Sequence, residues 1–257
     1  MAKPLLIIGN KNYSTWSLRA WLLLKAFEVD FDEQPIELFD SSSTAILKAY
    51  SPTGKVPVLV HKADDDSANN HKNNNDQVSV WDTLAIALYA NDYLTDKDIW
   101  SGQSKAVVNT KDAVLNKDRA YCQSIVAEMH SGLLDIRSEM PMNIRATARI
   151  KPSKACLTDL ARIEAIFAEC LEERSAGSYL FGDFTVADAF FAPVILRLHT
   201  YAQASGIELF MTTQQYCATM LNNPHVQAWR EAALKETRRI AEDEAGEILS
   251  LVGVLAG

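Results

Sequence analysis

The sequence predicts an α+β protein in two parts, an N-terminal unit that mixes strands with helices and a C-terminal unit that is all helical. Over the first 95 residues, short apolar runs alternate with segments of helical spacing in the order β-α-β-α-β-β-α. A polar connector, TDKDIWSGQSK, follows at 95–105, and the apolar segments after it have helical spacing. We therefore predict a first domain over 1–95, a linker over 96–104 and an all-helical domain over 105–257.

The N-terminal unit contains four predicted strands and three predicted helices. In chain order they are a strand at 4–9, a helix at 15–28, a strand at 31–38, a helix at 43–50, two hairpin strands at 56–61 and 77–81, and a helix at 83–94. Pro35 has no N–H donor, which favours an edge position for the second strand. The helix at 15–28 is apolar nearly all round, so we expect it to lie between the sheet and the second domain.

Four helices are predicted in the second domain. They span 120–140, 156–174, 185–202 and 224–249. The third begins with a capping box, in which Thr185 and Asp188 satisfy backbone donors at the helix start. Pro193 lies inside that helix and is expected to kink it.

Composition and charge exclude several classes of function. The 257-residue chain is 48% hydrophobic and 23% charged, which is ordinary for a globular protein, and its net charge of −8 argues against a nucleic-acid partner. No stretch approaches the roughly 18 apolar residues of a membrane span, and we identify no targeting segment. The four cysteines are far apart and form no CxxC pair. They indicate reduced, buried thiols in a cytoplasmic protein.

A polar segment, HKADDDSANNHKNNND, occupies 61–76, between the two predicted hairpin strands. Its lack of apolar residues other than alanine favours disorder. Its histidines and aspartates also permit a metal site. Ligands on a loose loop lack fixed geometry, however, so no metal is predicted.

The stretch SPTGKVPVLV at 51–60 carries the first functional signal. A cis Val56–Pro57 bond would turn the Val56 amide and carbonyl outward, where they can pair with an extended peptide ligand. The alternative is a trans proline at the start of an edge strand. Lys55, just before this pair, either meets a ligand carboxylate or is a solvated surface lysine.

The start of the predicted helix at 83–94 carries the second signal. Asp82 or Thr83 is a natural N-cap. A helix N-terminus also attracts carboxylates, because its N–H groups are unpaired and it carries about half a positive charge. In the functional interpretation Thr83 donates to a ligand carboxylate and Asp82 accepts from the ligand's ammonium group.

Four segments in this order and spacing together resemble the cytosolic glutathione transferases over nearly the whole chain. They are YSTWSLR (13–19), GKVPVL (54–59), WDTLAIALY (81–89) and TVADAFFAPV (185–194). The N-terminal segment is most similar to the serine-type bacterial and zeta (maleylacetoacetate isomerase-like) branch, with Trp16 in place of that branch's turn cysteine. The resemblance implies a thioredoxin-like N-terminal domain, a homodimer, glutathione as cosubstrate and a small hydrophobic electrophile as second substrate.

Three hydroxyls, on Ser14, Thr15 and Ser17, lie where the first helix begins, and each is a candidate helix cap. The resemblance assigns Ser14 as the catalytic hydroxyl, which donates to the glutathione thiolate. Lowering a thiol pKa by ~2 units takes about 2.7 kcal/mol. A hydroxyl donor supplies ~1.5–3 kcal/mol of this and a helix N-terminus ~0.3–1 kcal/mol. Tyr13 is an alternative donor.

The resemblance also implies that Lys55, Val56, Asp82 and Thr83 bind glutathione. His130 is a further candidate for the second-substrate site, although a histidine satisfied within the fold is the plainer interpretation. The same choice applies to the methionines, which either line an adaptable pocket or fill the core. These methionines are Met129, Met140 and Met142.

The sequence therefore predicts a glutathione transferase. A glutathione-dependent cis–trans isomerase and a non-catalytic binding protein of the same fold are the alternatives. Thiol–disulfide exchange is excluded, because the first cysteine of the chain is Cys122, far from the turn at residue 14.

Overall fold

The computed structural model describes residues 3–38, 41–62, 77–108, 117–174 and 177–252. The predicted order of elements in the N-terminal unit is confirmed throughout. The elements are β1 (Leu5–Ile8), α1 (Thr15–Ala26), β2 (Asp32–Pro35), α2 (Ser41–Tyr50), β3 (Val58–Lys62), β4 (Gln77–Trp81) and α3 (Thr83–Tyr93).

The C-terminal unit is mainly helical. Its elements are α4 (Lys105–Val108), α5 (Lys117–Ser131), α6 (Leu134–Glu139), β5 (Ala146–Arg149), α7 (Lys154–Ala168), α8 (Val186–Tyr201), α9 (Met211–Asn222), α10 (Pro224–Ala233) and β6 (Glu247–Leu251). A π-helical turn at Glu169–Arg174 continues α7, and a 3-10 turn spans Ala241–Asp243. Within the described ranges, no helix is long and apolar enough to cross a membrane.

The four-stranded sheet has the order β2-β1-β3-β4. β1 pairs in parallel with β2, with Leu5 opposite Asp32, whereas β3 runs antiparallel to both β1 and β4. Pro35 therefore lies on an edge strand, as predicted. The mixed sheet with helices packed on it, followed by a helical unit, is a thioredoxin-like domain joined to a helical domain.

The helix α1 is buried on several sides, as its composition predicts. Its central residues, including Leu18 and Leu22, have no exposed surface. The helix packs against α3 of its own unit and against α8 and α10 of the helical domain. The Trp21 ring packs at a tilt against Trp229 of α10, with 5.2 Å between ring centroids. One core therefore joins the two units through α1.

The prediction of a helix over 224–249 is wrong beyond Ala233, where α10 ends. The chain then crosses to the N-terminal unit, where the Glu236 carboxylate accepts hydrogen bonds from the amides of Lys11 and Asn12 at 2.6 and 2.9 Å. It returns as β6, which pairs antiparallel with β5. A two-stranded sheet thus lies in a domain predicted to be all helical. The helical spacing is overridden by these contacts with distant residues.

Two smaller predictions also need correction. The predicted helix at 120–140 is two helices, α5 and α6, because the chain turns at Gly132 and Leu133, and Leu133 has a positive φ of 54°. The helix α9 was not predicted.

The domain limits at 95 and 105 stay a prediction, and the 61–76 segment lies almost entirely outside the described residues.

The predicted capping box of α8 is confirmed at Thr185 and Asp188. The fully buried Asp188 carboxylate accepts from the Thr185 amide (2.8 Å), the Leu180 amide (3.1 Å) and the Tyr216 hydroxyl (2.7 Å). Pro193 lies inside α8, which is continuous from Val186 to Tyr201. The predicted kink stays a prediction.

We predict that Asp188→Ala lowers the free energy of unfolding by about 3–5 kcal/mol, because it leaves several buried donors without an acceptor. Chemical denaturation measures this loss. Asp92→Ala, which removes an exposed carboxylate from α3, is the control and should change stability by less than ~0.5 kcal/mol. Equal effects of the two substitutions would contradict the assigned role of Asp188.

Candidate active site between the two domains

A cavity of about 480 Å³ lies at the start of α1. The N-terminal unit lines it with the turn at 13–16, with part of α2 and with the loop before β3. Opposite them lie Arg137, Pro141, Met142 and Arg197 of the helical domain, with Ile240 and Asp243 of the C-terminal segment, which we define as residues 236–252. An adjoining groove of about 360 Å³ shares Trp16, Lys55 and Val56 with this cavity.

The turn before α1 is held in place by the helical domain. The Asn12 side-chain amide donates to Asn143 Oδ1 (2.9 Å), and its own Oδ1 accepts from the Arg145 amide (3.0 Å). The Trp229 indole N–H donates to the Lys11 carbonyl at 2.9 Å. With the Glu236 contact described above, these bonds fix the backbone that leads into Ser14.

Ser14 is the N-cap residue of α1, but its side chain makes no capping hydrogen bond. Its hydroxyl instead donates to Ser17 Oγ at 2.8 Å, and Ser17 Oγ also accepts from the Gly9 amide at 3.0 Å. Ser17 is fully buried, whereas Ser14 and Thr15 both line the cavity. The hydroxyl of Ser14 is therefore not needed to cap the helix, and it lies beside the unpaired N–H groups of the first turn.

Tyr13, the alternative donor, is occupied by the C-terminal segment. Its hydroxyl donates to Glu244 Oε1 at 2.5 Å and accepts from Arg145 Nη2 at 3.2 Å. Burial, followed by the hydrogen bond to Glu244, raises the pKa of Tyr13. Tyr13 thus ties the turn to the segment that forms the far wall of the cavity.

The Val56–Pro57 bond is cis, as one of the two sequence interpretations expects. Val56 lines both the cavity and the groove, as does the exposed Lys55. The predicted residues Ser14, Lys55 and Val56 are therefore brought together around one open space. Their binding roles stay predictions.

Asp82 caps α3, as predicted. Its Oδ1 accepts from the amides of Leu84 (2.8 Å) and Ala85 (3.4 Å), and its backbone has a positive φ of 76°. The Thr83 hydroxyl, however, donates to the Trp16 carbonyl at 3.1 Å, and Thr83 is 1% exposed. Its predicted contact with a ligand carboxylate stays a prediction.

His130 lies in the groove beside Asp82 rather than in the larger cavity. Its Nε2 is 3.3 Å from Asp82 Oδ2, and its ring meets Trp16 edge-on at 5.2 Å. Burial lowers the pKa of His130, and the nearby Asp82 carboxylate opposes that shift. The imidazole is therefore held neutral near pH 7. All three methionines, Met129, Met140 and Met142, are buried in the core, and Met142 also lines the cavity.

The sequence analysis missed a group of arginines around Trp16. Two guanidinium groups lie over the Trp16 ring, with Arg19 Cζ at 4.4 Å and Arg137 Cζ at 4.7 Å from its centroid. Burial lowers the pKa of Arg19, and burial together with the nearby Arg137 lowers the pKa of Arg197 to about 10. The one sequence signal for this group was Arg19, an arginine in the middle of the largely apolar helix α1.

No cluster of three or more histidine, cysteine, aspartate or glutamate side chains suited to a metal ion occurs in the part of the chain that the structure describes. The asparagine- and aspartate-rich stretch at 63–76, which contains one histidine, falls outside that part. The cysteines Cys122, Cys156 and Cys170 are buried and Cys217 is half-buried.

Two family models match the sequence. Residues 13–92 match the glutathione S-transferase N-terminal domain, and residues 146–232 match the glutathione S-transferase C-terminal domain. A search of curated protein sequences gives no significant match.

Solved structures share the fold at low sequence identity. A glutathione transferase homologue from Burkholderia gl BGR1 with bound glutathione is 17% identical, with a TM-score of 0.60 over 91% of this chain and 100% of that one. Glutathione transferase Omega 3C from Trametes versicolor is 14% identical, with a TM-score of 0.61 over 94% of this chain and 92% of that one. The Tau class glutathione S-transferase MiGSTU from mango, Mangifera indica, is 17% identical, with a TM-score of 0.58 over 90% of this chain and 96% of that one. With both domain models matched in order, the chain belongs to the glutathione S-transferase superfamily.

Proposed function

We propose that the protein is a glutathione transferase in which Ser14 donates a hydrogen bond to the glutathione thiolate. The observation that carries the proposal is the Ser14 hydroxyl. It lies at the N-terminus of α1, makes no helix-capping bond, and faces a cavity lined by both domains. Such a cavity can hold the glutathione sulfur next to the N-terminal unit and the electrophile next to the helical domain.

The two serine hydroxyls supply the chemistry. When a thiolate binds, the Ser14 proton turns toward the sulfur and Ser17 turns its own proton toward Ser14 Oγ. Ser17 still accepts from the Gly9 amide in this arrangement, so no buried donor is left unpaired. Neither serine loses its proton. The hydroxyl and the positive end of α1 together stabilise the charged sulfur.

The groove next to the cavity accommodates the rest of the tripeptide in this proposal. The backbone of Val56 pairs with the cysteinyl residue, and Lys55 meets the glycyl carboxylate. The α-carboxylate of the γ-glutamyl end lies at the N-terminus of α3, near Thr83, and its ammonium group faces Asp82. The Burkholderia homologue was solved with glutathione, which supports this cosubstrate. We also propose that the protein is a homodimer in the cytoplasm.

Calorimetric titration of reduced glutathione is the direct test. We expect saturable binding of one glutathione per subunit. Ser14→Ala should then lower kcat by about 10- to 150-fold, which corresponds to a lost donor of ~1.5–3 kcal/mol, and should change glutathione affinity by less than about threefold.

Ser124→Ala, which removes a hydroxyl from the exposed face of α5, is the matched control and should keep full activity. Absence of glutathione binding would refute the proposed function. Undiminished kcat in the Ser14 variant would refute the role of its hydroxyl.

Ser17→Ala should have a smaller effect on the same step. Loss of the supporting hydroxyl is expected to lower kcat/KM by about 2- to 10-fold and to shift the acid limb of its pH profile upward. Stability should also fall by ~1–3 kcal/mol, because the buried Gly9 amide loses its acceptor. An acid limb that stays at the wild-type pH would show that Ser17 has only a structural role.

Tyr13→Phe separates the two candidate donors. Because the Tyr13 hydroxyl is used by Glu244 and Arg145, we expect kcat to stay within about threefold of wild type. The C-terminal segment should be cut faster by trypsin at the exposed Arg239, which limited proteolysis measures. Tyr93→Phe, at an exposed position in α3, is the control. A loss of activity as large as that of Ser14→Ala would make Tyr13 the donor.

A further inference from the structure

Three guanidinium groups converge beside the cavity. Arg19 Cζ and Arg137 Cζ both lie over the Trp16 ring, at 4.4 and 4.7 Å from its centroid. Arg197 is 4% exposed, and its Nη1 donates to the Arg137 carbonyl at 3.1 Å. Arg137 and Arg197 both line the cavity that Ser14 also lines.

These positive charges are poorly compensated within the protein. Among the described residues, no carboxylate oxygen lies within 4.0 Å of any of the three guanidinium groups. Asp243 is the one acidic side chain in the described lining of the cavity. Arg19 Nη1 and Arg197 Nε are buried and have no hydrogen-bond partner. A buried guanidinium group without a counter-charge is energetically unfavourable unless a bound ligand supplies one.

The arginines are also held in fixed orientations. Arg19 Nε donates to the Phe190 carbonyl at 2.9 Å, and Arg137 Nη1 donates to the carbonyls of His130 (3.3 Å) and Gly132 (3.1 Å). Such fixed planar donors match the geometry of a carboxylate.

We propose that the electrophilic substrate carries a carboxylate group, which Arg137 and Arg197 bind while the glutathione sulfur at Ser14 attacks a carbon farther along the molecule. The inference rests on the proposed function and replaces the small hydrophobic electrophile that the sequence predicts. The carboxylate supplies the missing counter-charge, and Met142, Pro141 and Ile240 contact its carbon skeleton.

Two product conjugates test the inference without requiring turnover. S-(4-carboxy-2-nitrophenyl)glutathione and its carboxamide analogue have nearly the same shape and differ by one negative charge. Calorimetry should show that the carboxylate conjugate binds wild-type protein at least tenfold more tightly than the carboxamide.

Variants assign this preference to the arginines. Arg137→Gln should reduce the preference to less than threefold, whereas Arg137→Lys, which keeps the charge, should retain part of it. Arg197→Lys is a second variant that keeps a cation at the buried position. Arg162→Gln removes an exposed arginine that pairs with Glu128 on the surface, and it should keep the full preference. Circular dichroism checks that each variant is folded.

Turnover gives a second readout with 4-chloro-3-nitrobenzoate and 4-chloro-3-nitrobenzamide. The thiol proton goes to solvent, the sulfur forms a bond to the chlorine-bearing carbon, and chloride leaves with the electron pair of the broken C–Cl bond. Each kcat/KM is divided by the uncatalysed rate with glutathione. The benzoate should then be favoured at least tenfold, through a lower KM, and Arg137→Gln should remove the difference.

Equal affinity for the two conjugates, with glutathione itself binding normally, would overturn this inference and leave the proposed function intact. An Arg137→Gln variant that loses affinity for glutathione as strongly as for the carboxylate conjugate would also overturn it, because Arg137 would then bind a carboxylate of the cosubstrate. Failure of the protein to bind glutathione or either conjugate would refute the proposed function and the inference with it.

Discussion

The burial of α1 on several sides is the constraint on which the rest of the structure depends. The helix shares one core with strands of the sheet and with α8 of the second domain. A helix packed this way cannot shift without opening voids on one side and overlaps on the other. Ser14 at its start is therefore held in a fixed relation to α8, which carries Arg197 on the opposite wall of the cavity.

Local patterns predicted the parts of the fold that depend on neighbouring residues. The capping box at Thr185 and Asp188 and the edge position of Pro35 follow from rules that act over a few residues. The path of the C-terminal segment was not predictable in this way, because it is set by bonds between residues more than 200 positions apart, such as Glu236 with Lys11.

The same limit applies to the candidate site. Ser14 and Val56 belong to short motifs and were identified from them. The pairing of His130 with Asp82 and the contact of Arg137 with the Trp16 ring join different domains. The sequence marks these residues only as an isolated histidine and an ordinary surface arginine. The clustering of arginines at the cavity is therefore a tertiary property, and the expectation of a hydrophobic second substrate came from the family resemblance alone.

The bond between Tyr13 and Glu244 has a consequence for the biogenesis of the protein. These residues are 231 positions apart, yet they meet at the site, and Ile240 and Asp243 beside them complete the cavity wall. At ~5–20 residues per second, a ribosome makes the far wall roughly 10 to 50 s after the turn that bears Ser14. The N-terminal unit can begin to fold in that interval, but a closed cavity exists only once synthesis has passed the C-terminal segment. A chain truncated before this segment thus contains Ser14 but lacks the far wall of the cavity that Ser14 lines.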